Sequence, residues 1–278
     1  MRDDDQDARF AQFKRLHERT GTFVIPNPWD AGTARILTAL GFKALATTSA
    51  GLAFSMGRRD SAAGLSREEV LENARAIVRA TDLPVSADLE DGFGSAPEAC
   101  AETVRAACSV GLVGGSIEDM TGDASQPIFA FNHAVDRVAA ASEAARGLPF
   151  LLTARAENFI WGRPNLDDTI RRLQAFSKVG ASVLYAPGLP SIEAIRTVCA
   201  SVDKPVNVVM GLQGSPFTVE ALQEAGVKRI SVGGSFARAA LGGLIRAARE
   251  VKDQGTFTYA ADAISDAEAA AYMSPSKR

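Results

Sequence analysis

Eight short apolar runs recur along the chain: FVIP from Phe23, ALATTS from Ala44, PVSAD from Pro84, GGSIED from Gly114, FLLTAR from Phe150, SVLYAP from Ser182, PVNVVM from Pro205 and RISVGG from Arg229. Each is apolar at nearly every position rather than at alternate ones, which predicts strands buried on both faces of a parallel sheet. Helical patterns fill the gaps. Ser66 and Glu69 have the spacing of a capping box, and Val70, Leu71, Ala74, Ile77 and Val78 then line one face up to Ala80. Asn165 is placed to cap another helix, with Asp167 and Asp168 in its first turn and Leu166, Ile170, Leu173 and Phe176 at helical spacing. A further helix is predicted from Phe236 to Val251.

Eight strand–helix alternations close most economically into an α/β fold of the TIM type, a (β/α)8 barrel. The alternative, an open doubly wound sheet, lacks a G-x-G-x-x-G after the first strand. The chain reads as one barrel domain over residues 1–278. ARFAQFKRLHER would add an N-terminal helix that caps the bottom. Residues 255–278, where Ser265 and Glu268 open a short Ala-rich helix, form a C-terminal helical extension surplus to the eight units and available to a neighbouring subunit.

Composition narrows the class. A 46% hydrophobic content with a net charge of -3 fits a globular protein, and without a long basic run neither nucleic acid nor an anionic membrane is an expected partner. MRDDDQDARF lacks the apolar core of a signal peptide, and no segment approaches the roughly 18 apolar residues of a membrane span, so a cytoplasmic protein is expected. Cys100, Cys108 and Cys199 lack C-x-x-C spacing and read as reduced, buried small hydrophobes.

Barrels of this kind place their chemistry at the C-terminal ends of the strands. Those ends carry Ser49, Ala50 and Gly51 after the second strand, Asp88 and Glu90 after the third, Glu118 and Asp119 after the fourth, and Arg155 and Glu157 after the fifth. The sixth offers Tyr185. In VSADLEDGFG the carboxylates of Asp88, Glu90 and Asp91 have no basic residue beside them. Carboxylates crowded in a low-dielectric mouth repel, and a cation relieves them. An all-oxygen donor set suits a hard ion, Mg2+ or Mn2+; the alternative is an acidic rim that is merely solvated.

TTSAGLAFSMGRRDS, SADLEDGFG, SIED and TARAENF, in that order, resemble the strand-end motifs of the isocitrate lyase and phosphoenolpyruvate mutase superfamily. The resemblance implies a Mg2+-dependent barrel that acts on small 2-oxo or 2-hydroxy acids through an enolate, in homo-oligomers, tetramers or dimers, whose C-terminal helices exchange between subunits. Carried over by motif, Asp88 would sit closest to the metal, while Asp60, Glu90 and Glu118 hold its waters. Ser49, Ala50 and Gly51 would meet the substrate carboxylate and Arg155 would grip its charge, with Arg155, Glu118 and Asp60 as the catalytic set.

The departures bear on the reaction. Carbon–carbon lyases of the superfamily carry a K-[KR]-C-G-H loop after the fourth strand, where this chain reads MTGDASQPIFAF; phosphonate-handling members carry a histidine after the sixth, where it reads YAPG. Decarboxylation of an oxaloacetate-like acid demands least of the missing groups. Carbon–phosphorus cleavage of a phosphonopyruvate-like acid, lyase action on a substituted malate and a catalytically silent small-acid binder are the alternatives. Lys43, Lys178, Lys204 and Lys228 precede their strands, and Lys14, Lys252 and Lys277 lie outside them, which excludes Schiff-base chemistry. Gly233, Gly234 and Ser235 could offer amides to a phosphate, although a steric role for the glycines is expected. His17 and His133 read as packing or surface residues, and Asn27 and Trp29 as residues near the mouth.

Overall fold

The computed structural model describes residues 3–60, 64–212 and 217–274. Ser61, Lys277 and the end of the C-terminal extension lie outside them. The order is α1 (Asp3–Glu18), β1 (Phe23–Ile25), α2 (Ala31–Ala39), β2 (Leu45–Ala46), α3 (Ser49–Ser55), α4 (Arg67–Ala80), β3 (Val85–Asp88), α5 (Pro97–Ser109), β4 (Gly114–Glu118), α6 (Phe131–Ala145), β5 (Leu151–Arg155), α7 (Leu166–Lys178), β6 (Val183–Tyr185), α8 (Ile192–Ser201), β7 (Val206–Val209), α9 (Val219–Glu224), β8 (Arg229–Ser231), α10 (Ser235–Gln254), a 3-10 turn (Thr258–Ala261) and α11 (Asp266–Met273). Each of the eight apolar runs contains one strand. All are parallel, in the order β1-β8-β7-β6-β5-β4-β3-β2.

Strands β1 and β2 meet at the seam. There the Ala46 amide donates to the Pro26 carbonyl at 3.0 Å. Asn27 reinforces it from inside: its Nδ2 donates to the Thr47 carbonyl at 2.8 Å, and its Oδ1 accepts from the amides of Val232 and Gly233 at 2.9 and 3.0 Å. One buried amide side chain thus ties three strand ends, leaving its own polar atoms satisfied.

The expected helix signals operate. Ser66 and Glu69 form the reciprocal capping box of α4, and Asn165 Oδ1 accepts from the Asp168 amide at 2.9 Å to start α7. Phe13, Leu16 and His17 of α1 are buried with Phe23, Ile25, Ala44 and Val113, which seals the end where the strands begin. Burial of Phe13 alone accounts for about 1.5–3 kcal/mol.

Helix α10 departs from its neighbours. Its 20 residues exceed the predicted span, yet only Ala237 is buried, while Leu244 and Ile245 are 65% and 47% exposed. Helix α11, capped by Ser265, folds back on α2, where Arg35 Nη1 donates to the Met273 carbonyl. Cys100 and Cys108 are free and buried as expected; Cys199 is free but only half-buried. Among the described residues no helix is long and apolar enough to cross a membrane.

Candidate active site

Strands β3, β4 and β5 lie side by side, so their last residues meet. Arg155 Nη1 lies 3.1 Å from Asp88 Oδ1 and 2.8 Å from Glu118 Oε2, while its Nε donates to Glu157 Oε1 at 2.9 Å. Ser49 Oγ donates to the other Asp88 oxygen at 2.9 Å. One largely buried guanidinium therefore serves three carboxylates. Burial pushes the Glu118 carboxyl well above the ordinary range despite the opposing pull of Arg155.

Glu90 has no such partner among the described residues. It is 8% exposed, and burial, followed by the charges of Asp88, Asp91 and Asp60, pushes its carboxyl up to about 8. Asp60 stands at the outer lip, exposed as a residue; partial desolvation of its carboxyl and then Asp88 raise it. The turn that carries Glu90 is strained. Glu90 and Phe93 have φ of +47° and +60°, left-handed values that cost side-chain-bearing residues about 1–3 kcal/mol each. Arg137, on α6 and 1% exposed, holds the turn by donating to the carbonyls of Asp91, Gly94 and Ser95, with its guanidinium 4.3 Å from the Phe129 ring. Of the acids that lack basic neighbours in sequence, Asp88 receives its cation from β5 and Asp91 feels the charge of Arg137 from α6, while Glu90 pairs with none among the described residues.

A second buried network stands behind the first. Arg172 of α7 pairs with Asp119 Oδ2 at 2.9 Å and with Asp168 at 2.8 Å, while Asp119 Oδ1 accepts from the Glu157 amide at 2.8 Å. Burial, opposed by Arg172, leaves Asp119 at about 6. Arg172 also donates to the Phe129 carbonyl at 2.9 Å, the Phe129 amide donates to the Asp119 carbonyl at 2.8 Å, and Met120 bridges Ile128, so the MTGDASQPIFAF segment closes on itself and its far end is pinned to α7 and to the residue after β4.

The donor set fits a hard divalent ion in its chemistry. Asp88, Glu90 and Glu118 offer only oxygens, and the raised Glu90 carboxyl, which lacks a cationic partner among the described residues, is what such an ion would bring back to its charged form. Among the described residues no three potential ligands converge on one point, and the guanidinium of Arg155 stands between Asp88 and Glu118. An ion there would take over Asp88 and Glu118 from the arginine.

At the second strand end, Thr48 caps α3 by accepting from the Gly51 amide at 3.3 Å, which leaves the Ala50 amide without a partner among the described residues. Gly51 has no room for a side chain: a Cβ would stand 2.7 Å from both Thr48 Cγ2 and Trp29 Cβ. Gly233 has a left-handed φ of +51° and spends its amide on Asn27, and a Cβ on Gly234 would meet Ala50 at 3.0 Å, so backbone conformation accounts for the first glycine and packing for the second. Lys228 points away from the mouth, to the carbonyls of Arg19 and Gly21. His133 is half-buried and bonds the Ser95 carbonyl.

A cavity of about 60 Å³ lies inside the barrel, lined by Asp88, Arg155, Tyr185, Asn207 and Arg229 among others. A larger cleft, about 840 Å³, lies against α1 and α4 and is lined by Arg15, Arg75 and Arg79 with Asp5 and Asp82, away from the converging carboxylates.

The family model for phosphoenolpyruvate phosphomutase matches residues 13–252. The chain belongs to that family. The phosphoenolpyruvate phosphomutase family sits within the superfamily that the strand-end motifs resemble, which joins lyases and mutases. A solved protein of Burkholderia cenocepacia J2315, provisionally described as a lyase/mutase, is 52% identical, with 98% of each chain covered and a TM-score of 0.95. Another from the same organism, provisionally described as a phosphonomutase, is 34% identical over 90% of this chain and all of its own, with a TM-score of 0.80. The 2-methylisocitrate lyase of Escherichia coli K12 is 28% identical over 71% of this chain and 69% of its own.

Residues outside the strand-end motifs complete the site of this family member. Arg137 and Arg172 lie on helices, where an arginine normally reads as a solvated face, and only their total burial marks them. Arg229 begins a strand, a place that sequence reasoning assigns to the floor of the barrel.

Proposed function

We propose that this phosphoenolpyruvate phosphomutase family member is a Mg2+- or Mn2+-dependent lyase that decarboxylates a small oxaloacetate-like 2-oxo acid. The observation that carries the reading is the concentration of Asp88, Glu90 and Glu118 near one arginine, with Glu90 left without a cationic partner among the described residues. Asp88 would hold the metal most directly, with Asp60, Glu90 and Glu118 acting through its waters. When bound, the ion would supply a Lewis acid for charge developing on the 2-oxo oxygen.

Arg155 would exchange an acidic partner for the substrate carboxylate, which its planar fork can grip in two places. Ser49, Ala50 and Gly51 would border that carboxylate, with the Ala50 amide the free donor. The pinned segment after β4 contributes no cysteine or lysine, so water would protonate the carbon left by CO2. Decarboxylation tolerates that. The apolar face of α10 supports a homo-oligomer, in which the C-terminal helices would exchange between subunits by leaving their place on α2.

Carbon–phosphorus cleavage of a phosphonopyruvate-like acid is the second reading, favoured by the 34% identical relative provisionally described as a phosphonomutase. Pyruvate formation from oxaloacetate, measured with Mg2+ and corrected for metal-catalysed decay, tests the first. A rate no greater than that of Asp88→Asn would overturn it, and phosphate released from phosphonopyruvate would promote the second.

A further inference from the structure

One row of the sheet descends from the acidic mouth to the barrel floor. In register, Glu118 pairs with Arg155, Arg155 with Tyr185, Tyr185 with Asn207, and Asn207 with Arg229. Their side chains meet in the same sequence at most steps. Arg155 pairs with Glu118, its guanidinium lies 4.9 Å from the Tyr185 ring centroid, and Arg229 Nε donates to Asn207 Oδ1 at 2.8 Å. Asn207 Nδ2 in turn donates to Ser231 Oγ at 3.1 Å, and Tyr185, the register neighbour of Asn207, lines the same cavity as Ser231.

Arg229 has an unusual setting. It is 5% exposed and forms no ion pair among the described residues, only contacts with Asn207, Thr153 Oγ1 at 3.0 Å and His17 Nε2 at 3.4 Å. Burial lowers it to about 10. A buried guanidinium without a counter-ion costs several kcal/mol, more than a floor that only needed filling would warrant, since apolar residues fill space at no such cost. Both Arg229 and Arg155 line the same small cavity, with Tyr185 and Asn207 between them.

We propose that Asn207 and Arg229 are positioning residues that act from the barrel floor: they fix Tyr185, and Tyr185 fixes the plane of Arg155. This rests on the reading of Arg155 as the grip for a substrate carboxylate. Once a carboxylate or a metal takes the partners of Nη1, Glu157 and the Tyr185 face are what still orient the guanidinium. A bidentate contact fails if that plane turns.

Calorimetry with oxalate and Mg2+ on the full chain, together with crystal structures of the variants, tests the proposal. Tyr185→Leu should weaken oxalate at least tenfold, Tyr185→Phe less than threefold, and Tyr185→Leu should add nothing in an Arg155→Lys background. The Arg155 guanidinium should be displaced in Tyr185→Leu and in place in Tyr185→Phe. Undiminished binding by Tyr185→Leu, or a loss that adds fully to that of Arg155→Lys, would overturn the proposal. A parent that binds no oxalate removes the substrate reading instead, and the crystal structure of Tyr185→Leu then decides: an unmoved Arg155 overturns the proposal. Asn207→Leu should displace Tyr185 in the same way.

Discussion

Arg155 meets Glu118 at 2.8 Å through the same Nη1 that reaches Asp88, so one guanidinium nitrogen occupies the acids that a divalent ion would need. A unit charge about 4 Å away is worth ~4 kcal/mol at an effective dielectric constant near 20. Arg155→Gln should therefore bind Mn2+ at least about tenfold more tightly than the parent, as read by electron paramagnetic resonance. Its metal-free melting temperature should fall, because Glu118 is left buried and unpaired. Equal or weaker Mn2+ binding would mean that the arginine helps to build the metal site rather than competing for it.

Arg172 and Asp119 form a pair buried on both sides. Removing one partner of such a pair typically costs about 3–5 kcal/mol, while removing both recovers much of the loss. Urea denaturation should show Arg172→Met destabilised by that amount and Arg172→Met with Asp119→Asn markedly less so. Additive losses would indicate that Arg172 acts through Asp168 or the Phe129 carbonyl.

The segment from Met120 to Phe131 carries no cysteine, lysine or histidine. A placed proton donor is worth about 10²–10⁴-fold in such cleavages. Purified protein should turn over 2-methylisocitrate no faster than background, although a curated lyase of that substrate is among its relatives. Efficient cleavage would require an acid–base group supplied by another part of the site.

His17 is held neutral. Its Nδ1 donates to the Phe13 carbonyl, which turns Nε2 towards Arg229, and burial followed by the Arg229 charge lowers it to about 3; Lys228 adds to the effect. The unfolded chain takes up this proton below about pH 6.5 and the folded chain does not. Stability from this residue is complete above pH 6.5 and falls as the pH drops towards 3, by about 2 kcal/mol at pH 5. Denaturation at pH 7.5 and 5.0 should show a smaller difference for His17→Gln than for the parent.

The exposed face of α10 gives the proposed oligomer a test. Light scattering should find the parent above monomer mass and Leu244→Arg with Ile245→Arg reduced towards it. An unchanged mass would place any assembly on another surface.

Strand positions and the gathering of acids were legible because each depends on local pattern: an apolar run, followed by carboxylates at its end. The partners of those acids were not. Arg137 and Arg172 reach the site from α6 and α7, and nothing in a helical heptad distinguishes an inward arginine from a solvated one. Arg155 was visible as a strand-end cation, but its three simultaneous ion pairs depend on the alignment of β3, β4 and β5. Cys199 was expected to be buried and is half-buried, since its environment depends on how α8 meets the turn at Gly226, where a Cβ would come within 3.0 Å of it.

Phe23 lies in register with Arg229, and Thr22 Oγ1 bonds the Val227 carbonyl 205 residues away. Closing the barrel therefore joins the first strand synthesised to the last. Until β8 emerges, Phe13, Phe23 and Ile25 have no finished floor to enter, and the nascent chain must carry them exposed through most of its translation. Pairings of such sequence separation are slow to form, because the entropy of closing the loop comes before any reward from contact. Asn27 spans the same separation in its bonds to the Val232 and Gly233 amides, so that part of the seam also waits for β8.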